Sequence, residues 1–287
     1  MKVNVDAPAK INLFLDIRGK RSDGYHIVSM VMQSISLCDE ITVSRTDDGD
    51  IKIVCSDENI PLDETNTVYK AVELFFKETE KENKGIEIKI KKNIPTEAGL
   101  GGGSTDAAST LFGMNKIFDL GISQSKLMEM GLKIGADVPY CIMRGTALAE
   151  GIGEKLTRLT PMPHCWLIVA KPPINVSTKL VYESLDMGGI SKHPDIDGIM
   201  DAIKRGDVEG VAQNMGNVLE DVTIPLYPVI DSIKKQMLKN GAIGAMMSGS
   251  GPTVFGIFPD EQTALRCQAV LKAQGEARQV YITETFN

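Results

Sequence analysis

The sequence predicts an α+β protein in two parts, and three observations carry that expectation. Most of the first hundred or so residues alternate apolar and polar side chains or carry β-branched ones, the pattern of strands. Four glycines then fall within the five positions Gly99 to Gly103 and run straight into a helix-forming segment. The second half mixes helical and strand periods.

In chain order, strands are expected over 3–5, 11–17, 30–36, 41–44 and 51–55, with a hairpin-type turn at Asp47-Asp48-Gly49-Asp50 before the last. A helix over 65–81 interrupts them and puts Val68, Ala71, Val72, Phe75 and Phe76 on one face. Ile86-Glu87-Ile88-Lys89-Ile90 alternates as a further strand and leads into the glycine cluster. Helices over 104–118 and 123–134 follow, burying Ala108, Leu111 and Phe112, then Leu127, Met130 and Ile134. Residues 145–159 read as extended with a turn at 151–153, and 166–170 as an apolar strand ending at Lys171-Pro172-Pro173. A boundary near 158 gives domains 1–158 and 159–287. Beyond it, helices are expected over 177–186, 196–205, 207–217, 226–240 and 260–274, and strands over 242–247, 253–258 and 278–284. A second glycine cluster, Ser248-Gly249-Ser250-Gly251-Pro252, joins two of these strands and by itself reads as a tight turn. Neither internal repeats nor low-complexity segments break the pattern.

The bulk numbers narrow the function classes. With 43% hydrophobic and 24% charged residues the chain fits a soluble globular protein. A net charge of −7 argues against nucleic acid or an anionic membrane as partner, so an anionic substrate needs local positive groups. Five scattered cysteines without a C-x-x-C pair suggest thiols in a reducing cytosol, hence a cytoplasmic location. The three histidines are too widely spread for a His-rich metal centre. No apolar run is long enough to span a bilayer, and the N-terminus has no signal core.

The glycine cluster carries the first chemical hypothesis. Glycine lets backbone N–H groups approach an anion, and the following helix offers unpaired N–H groups and the positive end of its dipole. Such a loop cradles a polyphosphate. It is not a Walker loop, because Gly103 is followed by Ser104 and Thr105 with no lysine. It is not the dinucleotide fingerprint either, since the third glycine position holds Ser104. Nor does the chain hold the HRD or DFG triplets of protein kinases. The plainer alternative is a flexible turn before a helix with Ser104 as N-cap and Asp106 offsetting the dipole from the first turn.

Three segments stand in a set order: Ala7-Pro8-Ala9-Lys10-Ile11-Asn12, the run from Pro95 to Ala108, and Met247-Ser248-Gly249-Ser250-Gly251-Pro252-Thr253. With Arg21-Ser22-Asp23-Gly24-Tyr25-His26 and Gly135-Ala136-Asp137-Val138-Pro139, this set resembles the GHMP kinase superfamily over the whole chain. The resemblance implies an N-terminal part like the second domain of ribosomal protein S5 and a ferredoxin-like C-terminal part. It also implies an ATP-dependent small-molecule kinase using ATP and Mg²⁺. The Tyr25-His26 segment narrows the implied substrate to a cytidine diphosphate-linked methylerythritol, phosphorylated on its 2-hydroxyl.

What the resemblance implies for residues is specific. Asp137 matches the catalytic aspartate, which accepts the proton of the attacking hydroxyl or orients it. Lys10 matches the active-site lysine, which favours the ionised aspartate and offsets charge on the moving phosphoryl. Outside their motifs, Asp137 reads as a turn or cap residue and Lys10 as a solvated strand lysine. ATP is assigned to Pro95, Thr96, Glu97, Ala98, Gly99, Leu100, Gly101, Gly102, Gly103, Ser104 and Thr105. Tyr25 and Tyr182 are assigned to stacking on the base, His26 to its edge, and Asn12 and Thr178 to the methylerythritol diphosphate. Asp106 stands where relatives often carry Asn; it suits either the helix dipole or a nearby Mg²⁺, and the oligomeric state is open. Two rivals remain: another GHMP kinase, such as a homoserine or mevalonate kinase, and a catalytically silent sensor on the same scaffold. The Asp-Gly-Tyr-His segment argues against the first, and the presence of both Lys10 and Asp137 against the second.

Overall fold

Two long strands open the chain, β1 (Lys2–Lys20) and β2 (His26–Arg45). Each joins two strands that the sequence presents as separate. Residues Ala7 to Ile17 are buried without a break, so both faces of β1 are covered and the period-two alternation disappears there. The turn between the strands is tied by Arg21 N–H to Tyr25 O (2.7 Å) and Gly24 N–H to Arg21 O (3.0 Å), with Gly24 at φ 91°. The computed structural model describes residues 2–186, 188, 190 and 193–287. It divides into two compact units, one of residues 1–9, 37–96 and 101–144, the other of residues 10–36, 97–100 and 145–287. The division therefore falls inside β1 and β2, and these units are not the two halves on either side of residue 158.

In the first unit the later half of β2 pairs antiparallel with β4 (Ile86–Lys91), and β3 (Ile51–Cys55) pairs parallel with the far side of β4. The Asp47–Asp50 turn is therefore not a hairpin, because β4 lies between the strands it connects. The polar loop is instead fastened to the start of β4, with Thr46 N–H on Gly85 O (3.0 Å) and Ile86 N–H on Asp50 O (2.8 Å). Four helices complete the unit: α1 (Thr67–Thr79), α2 (Gly102–Ile117), α3 (Gln124–Leu132) and α4 (Val138–Met143). Asn66 caps α1 by accepting from Val68 N–H, and the five expected core residues of α1 are all buried. Gly113 lets α2 press onto the sheet; a Cβ there would stand 2.4 Å from Val43 Cγ2. The short α4 is apolar throughout, so it offers no amphipathic period to read.

In the second unit the first half of β2 pairs antiparallel with β5 (Thr146–Gly151), which continues into β6 (Lys155–Arg158). A separate sheet follows, in the order β11-β7-β10-β9, all antiparallel: β7 (Trp166–Lys171), β9 (Gly244–Met247), β10 (Val254–Phe258) and β11 (Gln279–Glu284). β7 lies inside this sheet, and Leu167 to Ala170 are fully buried, which explains their uninterrupted apolar run. The helices of this unit are α5 (Thr178–Ser184), α6 (Ile196–Arg205), α7 (Val208–Asn214), α8 (Glu220–Leu226), α9 (Val229–Lys239) and α10 (Glu261–Gln274), of which α7, α9 and α10 pack on the sheet. Two expected helices are shorter than the sequence suggested. The one over 207–217 stops at Asn214, since Gly216–Asn217 form β8, paired parallel with Phe14 and Leu15 of β1. The one over 226–240 starts after Pro228, and the segment before it is α8, hidden from the sequence by β-branched residues and the internal Pro225.

Candidate active site

The glycine cluster bends exactly once on each side of Leu100: Gly99 has φ 71° and Gly101 φ 70°, a region that L side chains rarely adopt. Gly101 is the N-cap of α2 and gives no side-chain bond, so the helix starts two residues before Ser104. Ser104 is thus inside the first turn, not the cap. The first α2 hydrogen bond runs from Thr105 N–H to Gly101 O (2.9 Å), which leaves the N–H groups of Gly102, Gly103 and Ser104 without an intrahelical acceptor. That is the local arrangement which holds an anion. Of the other residues assigned to ATP, Thr96, Glu97 and Gly103 are exposed, Gly99 and Ser104 half-buried, and Pro95, Ala98, Leu100 and Thr105 buried.

Within the second unit the three distant motifs meet. Lys10 N–H donates to Leu100 O (3.0 Å), and Ser248 Oγ donates to Gly99 O (3.1 Å). A Cβ on Gly99 would stand 2.3 Å from Ser248 O, and one on Gly249 would stand 3.5 Å from Asn12 Oδ1. Lys10 is 6% exposed, and its Nζ donates to Asn12 Oδ1 at 2.9 Å. Thr178 is exposed on the first turn of α5, and its hydroxyl is 2.8 Å from that of Ser250. Sequence reasoning missed Asn217, which fastens the second glycine turn. Its Nδ2 donates to Met247 O (2.9 Å) and Gly249 O (2.8 Å), and its Oδ1 accepts from Leu219 N–H (3.0 Å). Only the position of a two-residue strand next to β1 gives it that place, and no sequence period marks it.

Tyr25 is 62% exposed at the β1–β2 turn. The ring that faces Tyr182 is His26, with centroids 5.3 Å apart and planes tilted by 47°. Burial, helped by the charge of Lys20, holds the His26 imidazole below its ordinary value, so it is neutral at pH 7 and offers one donor and one acceptor. In the first unit Asp137 is half-buried at the N-terminal end of α4, to which it gives no side-chain capping bond. The close fit of α3 on α4 holds that end in place, since a Cβ on Gly131 would meet Val138 Cγ1 at 2.8 Å.

Asp106 corrects a further expectation. With α2 starting at Gly102, it lies in the second turn and does not offset the dipole from the first. Its Oδ2 accepts from Lys92 Nζ at 2.8 Å, and Lys92 also bonds Asp39 Oδ2. Burial pushes the Asp106 carboxyl up to about 7, Lys92 opposing the rise and Asp39 adding to it. A carboxyl raised in the folded state costs stability progressively as pH rises from its ordinary value of 3.8 through about 7. Asp106→Asn is therefore expected to raise Tm relative to wild type at pH 8 and to raise it less at pH 5. Thermal unfolding at both pH values measures this, and a larger gain at pH 5 would contradict it.

The GHMP kinases N terminal domain model matches residues 66–145, and the GHMP kinases C terminal model matches residues 199–277. The chain belongs to the GHMP kinase family, with that family's α+β fold. A Lachnospira eligens protein named 4-diphosphocytidyl-2-C-methyl-D-erythritol kinase is 60% identical over 284 residues, 99% of this chain and 98% of the relative. A Clostridium perfringens protein of the same name is 50% identical, across 99% of both chains. Among solved structures, a 4-(cytidine 5'-diphospho)-2C-methyl-D-erythritol kinase superposes with a TM-score of 0.84 at 29% identity, covering 99% of this chain and 100% of that one.

Proposed function

We propose that this protein transfers the γ-phosphoryl of ATP to the 2-hydroxyl of 4-diphosphocytidyl-2-C-methyl-D-erythritol, releasing ADP and the 2-phosphate, a step of non-mevalonate isoprenoid synthesis. The observation that carries this is the full-length likeness, at 60% identity, to a relative named for that kinase. The division into domains 1–158 and 159–287 is supported by the two family matches, 66–145 and 199–277, which fall on either side of it.

Each role follows from the chemistry of the residue. Asp137 accepts or orients the proton of the attacking hydroxyl. Lys10 offsets the charge of the moving phosphoryl, its ammonium steadied by Asn12. The backbone N–H groups at the start of α2 hold the phosphates of ATP, within the segment Pro95 to Thr105. Tyr25 and Tyr182 stack on cytosine, neutral His26 reads its edge, and Asn12 and Thr178 hold the diphosphate-linked polyol. Among the described residues no group of three or more His, Cys, Asp or Glu side chains is set to hold a metal ion. Mg²⁺ is accordingly assigned to the phosphates of ATP, where it supplies positive charge, and no step is derived through it. No described helix is long and apolar enough to cross a membrane, and the cytoplasm is the proposed location.

The test is ADP release with the cytidine substrate, homoserine and mevalonate in parallel. Turnover is expected with the first alone, and turnover of either other alcohol would overturn the assignment. A finer test concerns the base. Tyr25→Ala is expected to lower kcat/KM for the cytidine substrate by about 5- to 150-fold, the loss of one stacking face at roughly 1–3 kcal/mol. The KM for ATP should stay unchanged. The uridine counterpart should be a poor substrate of the wild type, because it leaves polar groups in the pocket unpaired. A Tyr25→Ala enzyme impaired towards ATP alone would contradict the base-stacking role.

A further inference from the structure

Beside the first turn of α2, two buried carboxylates share one ammonium. Lys92 Nζ bonds both Asp39 Oδ2 and Asp106 Oδ2, and the three side chains are at most 7% exposed. The two acids are not equivalent. Asp39 Oδ1 accepts two backbone N–H groups, from Asn93 (2.6 Å) and Ile94 (2.8 Å), so that both of its carboxylate oxygens have partners. Asp106 Oδ1 is buried with no hydrogen-bond partner. An ionised Asp106 therefore leaves the cluster at a net charge of −1 with an unsolvated carboxylate oxygen, while a protonated one leaves it neutral. The cluster also touches the loop: a Cβ on Gly102 would stand 3.4 Å from Lys92 Nζ. Gly103 is in turn fastened to α1 by Thr67 Oγ1, which donates to its carbonyl at 2.8 Å.

We propose that Asp106 is a positioning residue that takes up a proton from solvent when a polyphosphate docks at the N-terminus of α2, leaving Lys92 to face the anion paired with Asp39 alone. The proposal rests on the nucleotide site assigned above. A polyanion beside the cluster disfavours the second carboxylate, and the carboxylate in turn repels the polyanion, so the two events are reciprocally linked. The starting point suits this, since burial already pushes the Asp106 carboxyl up to about 7. The largest charges acting on it are Lys92, the residue after β4, and Asp39, on β2. Cys55 on β3 feels both Lys92 and Asp106, and burial raises its thiol so that it stays neutral; the Asp57 carboxyl is held below its ordinary value by hydrogen bonds from Asn59 and, to a lesser extent, by Lys92. From α1 the loop meets the uncharged Thr67.

The sign follows. Below pH 7 the proton is already in place and polyphosphate binds tightly; above it, binding must first draw a proton in, so affinity falls. Each pH unit by which the bound anion raises the carboxyl corresponds to a tenfold preference. The experiment titrates wild type and Asp106→Asn with Mg²⁺ and the non-hydrolysable ATP analogue adenylyl imidodiphosphate, from pH 6 to 8.5, by calorimetry in buffers of different ionisation enthalpy. The ligand's own titration is common to both proteins and cancels in their difference. Wild type is expected to take up a fraction of a proton more than the variant near pH 7.5. Its Kd should weaken about 10-fold more than that of the variant across the range. Equal proton counts and parallel pH profiles would overturn the proposal while leaving the nucleotide site standing. Proton release by wild type would overturn it in favour of a cation held by the carboxylate. If neither protein binds the analogue, both the proposal and the nucleotide-site reading fail. Should Asp106→Asn not fold, Asp106→Ser takes its place, and wild-type uptake that does not decline towards pH 6, where the carboxyl already holds its proton, is also against the proposal.

Discussion

Asp137→Asn is expected to lower kcat by about 10²–10⁴, the range lost when a positioned general base is removed. Asparagine keeps the size and shape of the side chain and still orients a hydroxyl, but it accepts no proton at neutral pH. The loss should therefore fall on kcat and kcat/KM together, with the dissociation constants of ATP and the cytidine substrate near wild type. The fold should survive the change. Asp137 gives no capping hydrogen bond to α4, whose start is held by the packing of Val138 and Ile142 around Gly131. Steady-state kinetics, a binding titration and a thermal melt on one preparation separate these effects. A variant with near-wild-type kcat would remove Asp137 from the reaction, and one that binds neither ligand would make it a structural residue.

Much of this arrangement was legible in the sequence because local rules and tertiary context agree. The helical face Val68, Ala71, Val72, Phe75 and Phe76 is the face α1 buries, and the alternation of 86–90 is β4. Legibility failed where burial is complete or pairing is remote. β1 is covered on both faces from Ala7 to Ile17 and lost its alternation. The six residues of α4 are apolar all round, and α8 carries Pro225 against its own propensity. The start of α2 was misplaced for a different reason. Ser104 is the better capping residue by composition, but the left-handed turn at Gly101 lets the helix begin earlier, which moves Asp106 into the second turn. The Lys92–Asp39–Asp106 cluster and the carbonyl bonds of Asn217 join residues 14 to 53 positions apart, and Lys92, Asp39 and Asn217 belong to no motif, so nothing local announces these contacts. The motifs themselves were legible one by one. That Lys10, Gly99-Leu100 and Ser248 touch is a property of the fold.

That contact is the basis of the second large expected effect. Gly99→Ala should destabilise the protein by about 2–5 kcal/mol, from two separable sources. An alanine at φ 71° carries the left-handed penalty of roughly 1–2 kcal/mol. Its Cβ would also stand 2.3 Å from Ser248 O, where no carbon can remain, and relieving such a clash costs roughly 1–3 kcal/mol. The Ser248 turn is poorly able to yield, because Asn217 holds the carbonyls of Met247 and Gly249 and Ser248 N–H is bonded to Thr253 O at 2.9 Å. The glycine-rich segment moves instead, and its displacement breaks the alignment of Lys10 N–H with Leu100 O and carries the start of α2 away from the phosphates. A misplacement on the order of 1 Å costs about 10²-fold in rate, so kcat/KM for ATP should fall by about that factor. Gly275→Ala is the control: it has nearly the same φ, 75°, with no atom within 4 Å of the added Cβ. It should pay the backbone penalty alone and keep wild-type kinetics. Chemical denaturation and ATP-dependent kinetics on the two variants side by side decide the matter. If Gly99→Ala behaves like Gly275→Ala in both measurements, the contact with Ser248 neither fixes the loop nor aligns the nucleotide.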